Sequence, residues 1–208
     1  MNSSRFRVSV FLLVIVALPC VVTAAEDPLA AVGQLLLSGK VAEARAEVQK
    51  AQQRYIAAGD AAGEAVSYLL LGLADVGLDK AADARSDLQQ SSVKFAALGD
   101  QFGAWMSLWT LAELERREGQ FDAAMAAHER ALSLLREASA SDAQFSAGSM
   151  KALGPIFGMP PDAIAPLMAN PEMFKPILLR LAEMMTRDSY STTLIETGAL
   201  DKADEQLT

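Results

Sequence analysis

Few residues of this chain can do chemistry. Among 208 residues there is one histidine, His128, and one cysteine, Cys20, which leaves little for metal or nucleophilic chemistry. No Gly-x-Ser-x-Gly turn raises a serine nucleophile. No glycine-rich loop precedes a Lys and a Ser or Thr to cradle phosphate, and no Asp-rich loop is spaced for calcium. His128 falls at a helix–helix packing position equivalent to Val48 and Leu88, so it reads as a packed residue rather than a base. Asp and Glu are scattered at helical spacing and read as solvated faces. No catalytic, cofactor or metal residues are expected. Recognition is the chemistry that remains. Both tryptophans, Trp105 and Trp109, precede Arg116 and Arg117 on one segment, and Trp and Arg are over-represented as interface anchors. With 18 basic and 26 acidic residues the net charge is -8, which argues against a nucleic-acid partner.

The elements that must position these residues are helices. Apolar residues make up 51% of the chain, charged residues 21% and aromatics 6%. That leaves room for a buried core and argues against wholesale disorder. Ala is roughly 18%, well above ordinary usage, and is the best helix former. Its excess is partly periodic. Gln52 to Leu70 reappears as Ser92 to Thr110, so that Tyr55, Gly59, Asp60 and Gly63 fall forty residues before Phe95, Gly99, Asp100 and Gly103. Ala44, Ala84 and Ala124 keep the same register, as do Gly39, Asp79 and Gly119. Gly59 and Gly99 suit left-handed helix ends, and Asp60 and Asp100 suit N-caps of the helices that follow. Asp27-Pro28 opens the first helix in a similar way. The spacing predicts three helix pairs: Pro28–Ser38 with Val41–Ala58, Ala61–Val76 with Lys80–Leu98, and Gln101–Glu118 with Phe121–Ala138.

The repeat resembles the tetratricopeptide repeat. Leu108, Leu111, Ala112, Gly119, Ala124 and Ala131 of the third unit fall on that family's signature positions, as do Tyr68, Leu71, Gly72, Ala84 and Leu88 of the second. The first unit is degenerate: Ala31 and Val32 replace Leu and Gly, while Gly39, Ala44 and Ala51 hold. The spacing is longer than the usual 34 residues and is similar to an extended variant with a Leu-Gly-Asp linker, here Leu98-Gly99-Asp100. The resemblance implies an all-α fold, a right-handed superhelical solenoid of antiparallel helix pairs over 27–140, whose first helices line a groove for a protein or peptide. Carried over by register, that groove comprises Val66, Leu69, Leu73 and Val76 in the second unit, and Met106, Trp109, Glu113, Arg116 and Arg117 in the third. Trp105 and Trp109 remain open between groove and core between units two and three. Arg116 and Arg117 suit either an acidic ligand group or a helix C-terminus.

Residues 1–24 read as a signal peptide. Arg5 and Arg7 precede an apolar run from Val8 to Leu18, and Val22-Thr23-Ala24 suits cleavage after Ala24, with Ala25 the alternative. Cleavage would remove Cys20 with the two arginines and place the protein in the periplasm or outside the cell. A retained leader would be a membrane anchor, the one route to a membrane association. Residues 141–188 hold six of the eight prolines and six of the nine methionines. They predict a linker and a helical insertion of short helices joined by turns, with helix starts at Pro161-Asp162 and Asn170-Pro171. This insertion either packs on the solenoid or offers an adaptable Met-rich surface. Residues 189–208 read as the start of a fourth, incomplete repeat, because Gly198 and Ala203 keep the spacing of Gly119 and Ala124. The expectation is an exported, non-catalytic interaction module. The alternative is the sensor arm of a longer secreted protein, such as a caspase-like peptidase of the CHAT family, since no capping helix closes the array.

Overall fold

The computed structural model describes Leu29, residues 31–140, Pro166 and residues 169–207. The expected leader, the Pro28 helix opening, the linker and the Pro161 helix start lie outside these residues. Eight helices occupy the described chain: α1 Val32–Leu37, α2 Val41–Ala58, α3 Ala61–Gly77, α4 Ala81–Ala97, α5 Gln101–Arg117, α6 Phe121–Ala140, α7 Pro171–Glu196 and α8 Leu200–Leu207. No strand occurs among the described residues. From α1 to α6 each helix packs on the next in sequence. Then α6 packs on α7, α7 on α8, and α5 touches both α3 and α7.

The local chemistry of the repeated segments explains where the helices begin and end. Gly59 and Gly99 take left-handed backbone angles, φ 67° and 71°, and stop α2 and α4. Asp60 and Asp100 each accept a hydrogen bond at 2.9 Å from the backbone N–H three residues on, Gly63 and Gly103. Such a cap contributes about 1 kcal/mol. The two capped glycines have a further role. A Cβ at Gly103 would lie 2.3 Å from the Phe95 ring, and one at Gly63 would lie 2.3 Å from the Tyr55 ring. The aromatic residue of one helix therefore lies flat against the start of the next, which is why the Tyr/Phe, Gly, Asp, Gly set recurs as a unit.

One core cluster extends from Leu29 and Val32 to Leu179 and Ala182. Ala44, Ala84 and Ala124 have no exposed surface, and their size lets paired helices approach closely. Phe95, Leu88 and Trp105 are among the largest fully buried side chains. Each contributes about 1.5–3 kcal/mol by leaving water.

After α6, the next helix among the described residues is longer than the sequence expectation. A single helix of 26 residues runs from Pro171 to Glu196, straight across the expected boundary at residue 188. Asn170 precedes it with Pro at the first turn, but its side chain makes no capping hydrogen bond. Pro176 sits inside the helix. It is the last proline of the chain, so the twenty residues that follow meet no further ring clash or missing donor.

Candidate functional site

The face shared by α5 and α7 gathers the residues that sequence reasoning marked for recognition. Trp109, Glu113 and Arg116 descend one side of α5 at helical spacing. Met185, Asp188, Ser189 and Thr192 face them from α7, and together these residues line a cleft of about 330 Å³. The Arg116 guanidinium donates to Glu113 at 2.9 Å and to Glu196 at 2.9 Å. The Ser189 hydroxyl donates to the second oxygen of Glu113. Trp109 stacks on Trp105, with ring centroids 6.2 Å apart, and its buried Nε1–H has no acceptor.

Behind Ser189 lies His128, which is fully buried. Its Nε2 is 3.4 Å from the Ser189 hydroxyl and 3.3 Å from that of Thr193. Those hydroxyl protons are committed to Glu113 and to the Ser189 carbonyl. Nε2 therefore carries the imidazole proton and donates, while Nδ1 is left without a partner. Burial pushes His128 down to about 4, so it is neutral at pH 7. A serine beside a histidine and a glutamate suggests acyl-transfer chemistry, but the proton arrangement opposes it. The nitrogen facing Ser189 is a donor, Glu113 binds the serine rather than orienting the histidine, and Ser189 lies within α7, where backbone N–H groups are used by the helix. The cluster is a polar seam between α5, α6 and α7. Tyr190 extends it, stacked on His128 at 5.5 Å and donating to Glu129 at 2.8 Å.

The remaining predicted residues fall elsewhere. Val66, Leu69 and Met106 are buried in the core, each 1% exposed or less. At these three positions the expected groove residues pack into the core cluster instead of lining the cleft. Leu73 and Val76 are half-buried and packed against the same core. Arg117 is exposed in the last turn of α5 and does not line the cleft. Trp105 is buried, and its indole N–H donates to Thr186 of α7 at 2.8 Å. It therefore seals the α5–α7 junction rather than only units two and three. His128 occupies a buried position like those of Val48 and Leu88, all three with no exposed surface.

Sequence reasoning missed the α7 wall of the cleft. The matched spacing of Gly198 and Ala203 was the available signal, since it makes α7 the counterpart of α5. A larger cavity of about 420 Å³ opens between α6, α7 and α8. Its charges are mixed, with Arg187 paired to Glu183 at 3.0 Å, and it contains none of the predicted residues. Among the described residues no group of His, Cys, Asp or Glu is placed to hold a metal ion. No helix among them is long and apolar enough to cross a membrane. The chain matches no family model, no curated protein and no solved structure.

Proposed function

We propose that this chain is an exported, non-catalytic protein–protein interaction module. In this reading its helix pairs are tetratricopeptide-like, wind as a right-handed superhelical solenoid, and take a peptide or protein segment on the α5–α7 face. The observation that carries the reading is the cleft itself, where Trp109, Glu113 and Arg116 of one helix meet polar residues of another around a concave space. A partly buried Trp beside a braced Arg is the composition of an interface anchor. The forty-residue recurrence of caps, left-handed turns and aromatic contacts supports the repeat reading.

The test uses short random peptides displayed on phage and selected on the purified, immobilised protein. Selected peptides should lose binding to the Trp109→Ala, Arg116→Ala double variant while its helical circular dichroism stays near wild type. Peptides that bind the double variant undiminished would refute the assignment of this face.

A further inference from the structure

We infer that the α5–α7 cleft accepts a cationic side chain, a lysine or arginine presented by a partner peptide. The inference rests on the binding-module reading and adds the chemistry of the ligand. Among the described residues Arg116 is the one cation lining the cleft, and its charge is already met by Glu113 and Glu196 at 2.9 Å each. Its third nitrogen, Nε, has no partner but is buried, so an acidic ligand group does not reach it. Glu113 is likewise engaged, by Arg116 and by Ser189. Asp188 differs. It is exposed on the α7 wall, its carboxylate has no partner among the described residues, and its neighbour Arg187 is occupied by Glu183. The free charge of the cleft is therefore negative, on a chain whose net charge is also negative, -8.

Beside that carboxylate the cleft supplies an apolar bed. Trp109 offers an indole and Met185 a polarizable thioether. An alkyl stem can lie along such a surface while its ammonium or guanidinium meets the carboxylate and an aromatic ring. The volume of about 330 Å³ is at the low end for ligand sites, enough for one long side chain.

The test follows the two indole N–H signals of the ¹⁵N-labelled protein by NMR. Trp109 reports the cleft, and Trp105, sealed against Thr186, serves as internal control. The probes are the N-acetyl, N-methylamide derivatives of lysine, arginine, norleucine and glutamate. Lysine and arginine probes should shift the Trp109 signal saturably, with a dissociation constant on the order of 10 mM, and leave Trp105 in place. Asp188→Asn should weaken them about fivefold, and added salt should weaken them further. A response to glutamate, an equal response to norleucine, no response to any probe, or an unchanged Asp188→Asn variant would each overturn the inference. Peptide selection separates this result from the broader reading. Selected peptides without basic residues that still bind Asp188→Asn would sink the cationic site and keep the module. A failed selection with a lysine-shifted Trp109 would do the reverse.

Discussion

Where α2 meets α3 and α4 meets α5, the joint between successive helix pairs carries an ion pair; where α6 meets α7 the equivalent position, beside the polar seam of His128, is apolar. The backbone identifies the equivalent positions. Asp75, Glu115 and Leu194 each accept, at 2.8–2.9 Å, the N–H of the residue just past the left-handed turn. Arg45 bonds to Asp75 and Arg85 to Glu115 across the same interval of 30 residues. At the third joint Met125 takes the arginine's place in register and packs against the cluster of Tyr190, Leu194 and Ala203. The two ionic joints also differ from each other. Glu115 receives two bonds from Arg85, at 2.5 and 2.7 Å. Asp75 is one methylene shorter and receives one bond, at 2.6 Å, with Lys80 at 4.0 Å. Its other oxygen, Oδ2, is buried without a partner. The comparison teaches that the turns and small residues hold the register, while the side chains at this position need only match each other. A buried ion pair and a well-packed apolar pair are close in free energy, whereas half of either is costly.

The largest expected effect breaks the ionic joint from one side. Glu115→Ala leaves Arg85 without its carboxylate and should cost about 2–3 kcal/mol in urea unfolding, reduced from the fully buried limit because Arg85 keeps some solvent contact. Combining Arg85→Met with Glu115→Leu imports the chemistry of the third joint and should return stability to within about 1 kcal/mol of wild type. A double variant as unstable as the single one would show that the joints are not interchangeable. Next in size, Asp75→Glu lengthens the carboxylate so that Arg45 can bond twice. It should raise stability by about 1 kcal/mol, and a loss would mean that the first joint lacks room for the extra methylene. The smallest effect concerns the turn itself. Asp79 holds φ 55° where Gly39, Gly119 and Gly198 hold the equivalent left-handed turns. Asp79→Gly should therefore gain up to about 1 kcal/mol in thermal unfolding.

Much of this was legible in the sequence because it repeats. Two copies in register exposed Gly59 and Gly99 as turns and Asp60 and Asp100 as caps. The tetratricopeptide resemblance implied that Trp109, Glu113 and Arg116 share one face, and the cleft collects all three. Depth was not legible. Register assigns Val66, Leu69 and Met106 to a face but does not count how many neighbours cover it, and here the flanking helices bury them. Nor was the long helix α7. Proline density predicted short helices, but the last proline is Pro176, and the cleft wall the helix contributes joins Met185 to Asp188, Ser189 and Thr192, polar residues that alone read as solvent-facing. The polar seam around His128 is invisible until α6 and α7 are adjacent.

The burial of His128 also makes folding a proton-transfer reaction. Held down to about 4, His128 gives up, as the chain folds, a proton that the unfolded chain carries below its ordinary 6.5. Stability from this group is present above 6.5 and lost as pH falls toward 4, about 3 kcal/mol in all. Asp87 runs the other way. Burial, with Asp75 nearby, pushes it up to about 6, so folding takes up a proton between its ordinary 3.8 and 6. That contribution is present below 3.8 and lost as pH rises through 6, and screening at this half-buried carboxylate limits it to about 1–2 kcal/mol. Between pH 4 and 6 one side chain loses a proton while the other gains one, and the two contributions partly cancel. The stability profile there should rise with pH by only about 1–2 kcal/mol, less than His128 alone would give. His128→Leu, which copies Leu88, should uncover the slope that falls with pH, and Asp87→Asn the slope that rises. Proton uptake on unfolding, measured by calorimetry in buffers of different ionisation enthalpy, should change sign between the two variants.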